Sequence, residues 1–330
     1  MLRDRDRHMP LCRSTSDARP RVLLADDHPG VLRTVSAILA DDFDVVGAAT
    51  DGDEALAAAR QLDPDLIVLD VSMPRLDGIR TIQGLQQAGS RGQVVFLSMH
   101  DTDDYVGEAF NCGGRGYVLK TRIQRDLACA LDHILAGRLF VPSLTSVGGL
   151  VNGSGHAMCL HDDGPAFINE LGGFVDDALR RGDATCVVAP ERVREALGER
   201  LRTQGWNIGG PSGHSRYLAM DTVDALNRFM VNGMPDADRL TEIVAELDAY
   251  RVRVGEGSPP RLTLFGDMAA SLSLSGSPEA AMTLEAMWSA LTSPLPFLTV
   301  CAYSVACFAS DTHADFYRSA CAPHSAVSNA

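Results

Sequence analysis

Five polar residues stand at the ends of four short apolar runs: Asp26 and Asp27 follow RVLLA, Asp70 closes DLIVLD, Ser98 closes QVVFLS and Lys120 closes RGYVLK. In an open α/β sheet the residues just past the strand C-termini surround the ligand crevice, so these side chains are expected to share one site. A lone strand-end aspartate is commonly a helix cap, but five such residues at four strand ends point to shared chemistry. Carboxylates crowded together repel one another unless a cation joins them, and oxygen donors of this kind suit Mg²⁺. With that charge screened, one carboxylate can attack phosphorus and form an acyl phosphate. A hydroxyl and an ammonium at the rim would then hold the phosphoryl oxygens. Of the 29 basic residues, 28 are arginine, and Lys120 is the single lysine. A compact ammonium fits between a carboxylate cluster and a phosphoryl group where a planar guanidinium fork is too wide.

The elements that must position these residues alternate in the sequence. RVLLA, FDVVGAA, DLIVLD, QVVFLS and RGYVLK are each followed by a helix-period segment, which predicts an α/β unit with a parallel five-stranded sheet over residues 21–138. Residues 139–154 are small and Gly/Ser-rich and read as a linker. Beyond it the alternation resumes with HAMCLH, ATCVVA, RYLAMD, RLTLFGD and FLTVCAYS, each of the first four followed by a helical stretch, so that 155–310 reads as a second α/β domain. The leader 1–20 reads as a disordered, solvated segment and the tail 311–330 as loose.

Composition bounds the possibilities. The net charge is −14, with +2 in residues 1–20, −7 in 21–140 and −9 in 141–330. Nucleic-acid binding depends on neutralising phosphates, so neither folded half is expected to bind DNA or RNA. No apolar run is long enough for a bilayer span, and the leader lacks the apolar core of a signal peptide, so no membrane association and a cytoplasmic location are expected. The eight cysteines show no CxxC pairing and read as reduced thiols.

The stretches VLLADDHPGVL, DLIVLDVSMPRLDGI, VVFLSMHD and GYVLK resemble the receiver domains of two-component response regulators, especially those of the LuxR/NarL-type class. The resemblance implies a flavodoxin-like (βα)5 fold with Asp70 as phospho-acceptor. Asp26, Asp27, Asp70 and the backbone carbonyl of Ser72 would hold Mg²⁺. Ser98 and Tyr117 would be the switch residues, Lys120 the phosphoryl contact, and Pro74 and Gly78 would shape the loop after Asp70. The implied partner is a sensor histidine kinase or a phosphotransfer protein, with a homodimer possible through the receiver. His28 and His100 lie at the mouth of the site and read as polar loop residues.

The class usually continues into a basic helix-turn-helix, and this sequence instead enters an acidic α/β half. That half resembles the MEDS domain, a methanogen/methylotroph sensory domain related in fold to RecA/KaiC-type ATPases. HAMCLHDDGPAFINELGGFVDDALRRGDATCVVAP, RLTLFGDMAASLSLSGSPEAAMTLEAMWSAL and FLTVCAYS carry the resemblance. The chain departs from it in GDM and WSAL, where the family tends to have GEM and WNAL. Where a phosphate-binding loop would need GxxxxGK[ST], DDGPAFIN offers no lysine and adds two carboxylates, so a sensory or interaction module is expected, with no enzymatic activity of its own. Asp162, Asp163, Asp267 and Glu285 are candidates for binding a small-molecule ligand or metal there. Because alternate residues of a strand face opposite ways, His156, Cys159 and His161 cannot all converge. Two alternatives have tests of their own: nucleotide binding by the second half would favour a receiver-regulated RecA-like enzyme, and a gel shift at low salt would favour a transcriptional regulator with an unrecognised DNA reader.

Overall fold

The computed structural model describes residues 18–100, 102–150, 154–162, 164–208, 215–255, 257–308, 319–320 and 322–329. The leader outside 18–20 and Asp163 lie outside the described residues. The chain divides near Ser143 into two compact units.

In the first unit the expected alternation is present: β1 (Arg21–Ala25), α1 (Pro29–Leu39), β2 (Asp44–Ala49), α2 (Gly52–Leu62), β3 (Leu66–Asp70), α3 (Gly78–Gln87), β4 (Gln93–Ser98), α4 (Asp103–Asn111), β5 (Gly116–Leu119) and α5 (Ile123–Leu135). The strands run parallel in the order β2-β1-β3-β4-β5. β1 and β3 are apolar on both faces because helices cover both, and every residue of β3, Asp70 included, is buried. Helix starts follow the local chemistry. Asp51 and Asp77 accept the backbone N–H groups of Glu54 and Arg80, and Pro29 occupies the first turn of α1, where its missing N–H is not needed.

The sheet does not stop at five strands. Leu139–Val141 form a sixth, β6, pairing with β5 at Gly116↔Phe140, and Leu144–Leu150 form α6, which already belongs to the second unit. The stretch 139–154 is therefore mostly built structure and not an open linker. Buried Phe140, Val141, Leu144 and Val147 supply the apolar contacts that its Gly/Ser content hides.

The second unit contains β7 (Gly155–His161), α7 (Pro165–Arg180), β8 (Ala184–Val188), α8 (Glu191–Thr203), β9 (Tyr217–Met220), α9 (Thr222–Phe229), β10 (Met230–Val231), β11 (Met234–Pro235) and α10 (Ala237–Val254). It continues with β12 (Leu262–Gly266), α11 (Met268–Leu274), α12 (Pro278–Thr292), β13 (Phe297–Ser304) and β14 (Ala326–Asn329). Its sheet is parallel, in the order β14-β7-β13-β12-β8-β9. The helical stretch after Thr222 is interrupted by the β10–β11 hairpin, turned by Asn232 and Gly233 at φ 50° and 81°. Such an Asn-Gly pair is a strong hairpin signal, since both central residues must take positive φ. The tail expected to be loose contributes β14, whose Ala326, Val327 and Ser328 are buried beside β7.

Candidate receiver site

The strand order brings the five residues to one edge of the sheet. Asp26 and Asp70 follow or end the adjacent central strands β1 and β3 and are buried, and Ser98 ends β4, also buried. Lys120 opens a 3-10 turn, Lys120–Arg122, between β5 and α5. Its Nζ lies 2.8 Å from Asp26 Oδ2 and 2.8 Å from Asp70 Oδ2. Asp26 Oδ1 accepts the His28 backbone N–H at 2.8 Å, and Asp70 Oδ1 accepts that of Ser72 at 3.2 Å. Asp27 is half-buried, its Oδ1 2.7 Å from His28 Nδ1.

Burial acts against charge on both sides of the Lys120 pair, with unequal results. It raises the Asp70 carboxyl above its ordinary range, and the hydrogen bonds from Lys120 and the Ser72 N–H only partly oppose it; nearby Asp26 adds repulsion. It also lowers the Lys120 pKa, but hydrogen bonds and charge from Asp26 and Asp70 outweigh it and leave the ammonium's pKa raised. The cation is thus firmly charged, while Asp70 is a carboxylate held against its preference.

One ammonium bridges two of the three carboxylates here, Asp26 and Asp70. The ligand atoms of Asp26, Asp27 and His28 lie within 4.8 Å of one another, and Asp26 Oδ2 has no hydrogen-bond partner beyond the ammonium it faces. A hard, oxygen-rich set with surplus negative charge fits Mg²⁺.

Beyond the set the sequence marked, His100 joins two of its members through backbone atoms. Its N–H donates to Ser98 Oγ at 3.0 Å, and its carbonyl accepts the hydroxyl of buried Tyr117 at 2.7 Å. Its ring stacks on Tyr105 with centroids 4.7 Å apart. Sequence reasoning set His100 aside, and no side-chain pattern could have revealed a link made by its main chain. Gly78 is also explained: a Cβ there would come within 2.4 Å of the Asp70 carbonyl oxygen, so α3 can start against the Asp70 backbone only with glycine. The Pro74 carbonyl accepts the Leu76 N–H at 2.8 Å, tightening the loop between them.

The acids singled out in the second unit do not converge. Asp162 is exposed, Asp267 accepts the Thr222 hydroxyl at 2.6 Å, and no cluster of three of these acids forms among the described residues. Asp267 stands at the N-terminus of α11 and accepts from Thr222, whereas Glu285 lies buried on α12 among other partners. Glu285 instead meets His156, Cys301, Tyr303 and His324. His161 stacks on Phe167 with centroids 3.9 Å apart, away from that group.

Residues 22–132 match the family described as response regulator receiver domain, and residues 155–319 match MEDS, the methanogen/methylotroph, DcmR sensory domain. The chain is a receiver domain followed by a MEDS domain. Its receiver domain is 38% identical over 122 residues to the nitrate/nitrite response regulator protein NarL of Escherichia coli (strain K12), covering 36% of this chain and 56% of that protein. It is 33% identical over 131 residues to the transcriptional regulatory protein MctR of Rhizobium johnstonii, covering 39% of this chain and 61% of that protein. The chain thus spans less than two thirds of the length of either. Among solved structures, a LuxR-family two-component response regulator from Aurantimonas sp. SI85-9A1 is 31% identical, with 37% of this chain and 89% of that chain covered and a TM-score of 0.36. No helix among the described residues is long and apolar enough to cross a membrane.

Proposed function

We propose that this protein is a cytoplasmic response regulator that accepts a phosphoryl group on Asp70 and passes the change to its MEDS domain without a helix-turn-helix output. The observation that carries this reading is the bridging of Lys120 Nζ, at 2.8 Å, to both Asp26 and Asp70. A carboxylate oxygen of Asp70 attacks the phosphorus of a phosphohistidine on a sensor kinase or phosphotransfer protein. The P–N bond breaks, the imidazole leaves and takes up a proton, and an acyl phosphate remains on Asp70. Asp26, Asp27, Asp70 and the Ser72 carbonyl would hold Mg²⁺, which when bound supplies charge neutralisation at the phosphoryl oxygens. Lys120 holds the Asp70 side of the site and takes a share of the new phosphoryl charge.

The switch follows from the His100 link. When the Ser98 hydroxyl turns toward the phosphoryl group, its bond from the His100 N–H changes, and the His100 carbonyl carries that change to Tyr117. The surface nearby, where Met99 is exposed, is where altered self-association would be read, including a receiver homodimer. The MEDS domain serves as a sensory or interaction module with a small-molecule ligand. Incubation with acetyl phosphate and Mg²⁺, followed by intact-mass analysis, is expected to add one phosphoryl group to the wild type and none to Asp70→Asn. Equal labelling of both would remove Asp70 from the role.

A further inference from the structure

The MEDS domain holds a second constellation, independent of the receiver reading. His156 on β7, Glu285 on α12, Cys301 on β13 and His324 just before β14 place one ligand atom each within 4.8 Å of the others. His156 Nε2 lies 3.1 Å from Cys301 Sγ and 3.2 Å from Glu285 Oε2. Glu285 Oε2 is 3.4 Å from Cys301 Sγ and 3.6 Å from His324 Nε2. A tetrahedral ion with bonds of about 2.0–2.3 Å sets neighbouring ligand atoms roughly 3.3–3.8 Å apart, close to the separations seen.

We propose that His156, Glu285, Cys301 and His324 form a tetrahedral site for a borderline divalent ion, Zn²⁺ above all.

The surroundings are those of a built site. His156, Glu285 and His324 are all buried. Tyr303 donates its hydroxyl to Glu285 Oε1 at 2.5 Å, fixing the carboxylate so that Oε2 turns to the cluster. His324 Nδ1 lies 2.7 Å from the Ala320 carbonyl, so Nδ1 carries the proton and Nε2 presents its lone pair to the cluster. The two rings stand 4.2 Å apart, each with its Nε2 within 3.6 Å of Glu285 Oε2. One thiolate and one carboxylate neutralise a divalent cation, leaving no net charge among three buried ligands and one half-buried one. The thiol, which burial and Glu285 push well above its ordinary pKa, would release its proton to solvent as the ion enters. A thiolate ligand with two imidazoles selects against Mg²⁺, which prefers oxygen alone.

The four ligands come from three core elements and the segment leading to β14. The ion therefore ties Ala326–Asn329 to the sheet edge at β7, which gives the domain a structure that depends on metal supply.

The full-length chain, stripped by chelator and titrated with Co²⁺ in excess Mg²⁺ to saturate the receiver carboxylates, tests this. One equivalent should bind with the intense visible bands of tetrahedral cobalt and a near-ultraviolet thiolate-to-cobalt band, and Zn²⁺ should displace it. Cys301→Ser, nearly isosteric, should lose the thiolate band and weaken Zn²⁺ about tenfold or more, while Asp26→Asn should leave both unchanged. No saturable binding, an octahedral spectrum without the thiolate band, or a Cys301→Ser spectrum equal to wild type would each overturn the site. The wild-type titration decides even where Cys301→Ser fails to fold.

Discussion

At the scale of single residues, the receiver chemistry rests on a carboxylate kept ionised in a place that disfavours it. A group whose folded pKa is raised stabilises the fold most below its unfolded value and loses that contribution as pH rises through the folded one. At neutral pH the charge on Asp70 therefore costs stability. Asp70→Asn, measured without Mg²⁺, should melt a few degrees above wild type at pH 7, and the gap should close as pH falls below the ordinary carboxylate range near 4. A lower Tm for the variant at pH 7 would contradict that account of the site. Lys120 carries a separate expectation. Lys120→Arg should keep the fold by circular dichroism yet abolish the phosphorylation-dependent change in hydrogen exchange over residues 98–117, because a planar fork cannot replace a point charge lying 2.8 Å from two carboxylates. That Asp26, Asp27, Asp70, Ser98 and Lys120 share one edge of the sheet was legible in the sequence because each sits at or just past a strand end, where chain position determines location. The role of His100 was not, since it acts through its N–H and carbonyl, which every residue type has in common.

At the scale of elements, glycine positions separate packing from propensity. Gly78→Ala should destabilise the receiver by roughly 1–3 kcal/mol, because the new Cβ meets the Asp70 carbonyl oxygen and either α3 or the strand end must yield. Gly107→Ala, within α4 and with nothing inside 4 Å of the added Cβ, should stabilise by up to about 1 kcal/mol through helix propensity. Urea unfolding of both variants checks the opposite signs. The α/β alternation was legible because buried parallel strands appear as unbroken apolar runs, such as LIVLD and ATCVV. The short pieces were not. β6 and α6 hide in a stretch rich in Gly and Ser, and the β10–β11 hairpin hides in what looks like one helical segment, although Asn232-Gly233 was its visible mark.

At the scale of the whole molecule, each unit carries its own cluster, and the two clusters differ in how far the sequence reveals them. The receiver's residues lie in order along one repeating pattern. The second cluster draws Cys301 from a strand and His324 from a tail of no visible pattern, and only the placement of β14 beside β7 brings them to Glu285. Removing residues 326–330 should therefore lower the melting temperature of the MEDS domain by several degrees, as read by Trp206 and Trp288 fluorescence, while the receiver still labels with acetyl phosphate. An unchanged melt would mean that β14 adds little to the sheet. The acidic balance, −7 and −9 over residues 21–140 and 141–330, is the reason the proposed output runs through protein or small-molecule contacts. The central claim is that Asp70 carries the acyl phosphate, and borohydride trapping tests it most directly. After incubation with acetyl phosphate and Mg²⁺, reduction and peptide mapping should place the converted residue at position 70 within DLIVLDVSMPR, with loss of the signal when Mg²⁺ is chelated. Conversion at Asp26 or Asp27, or none anywhere in a folded and Mg²⁺-loaded protein, would contradict the account.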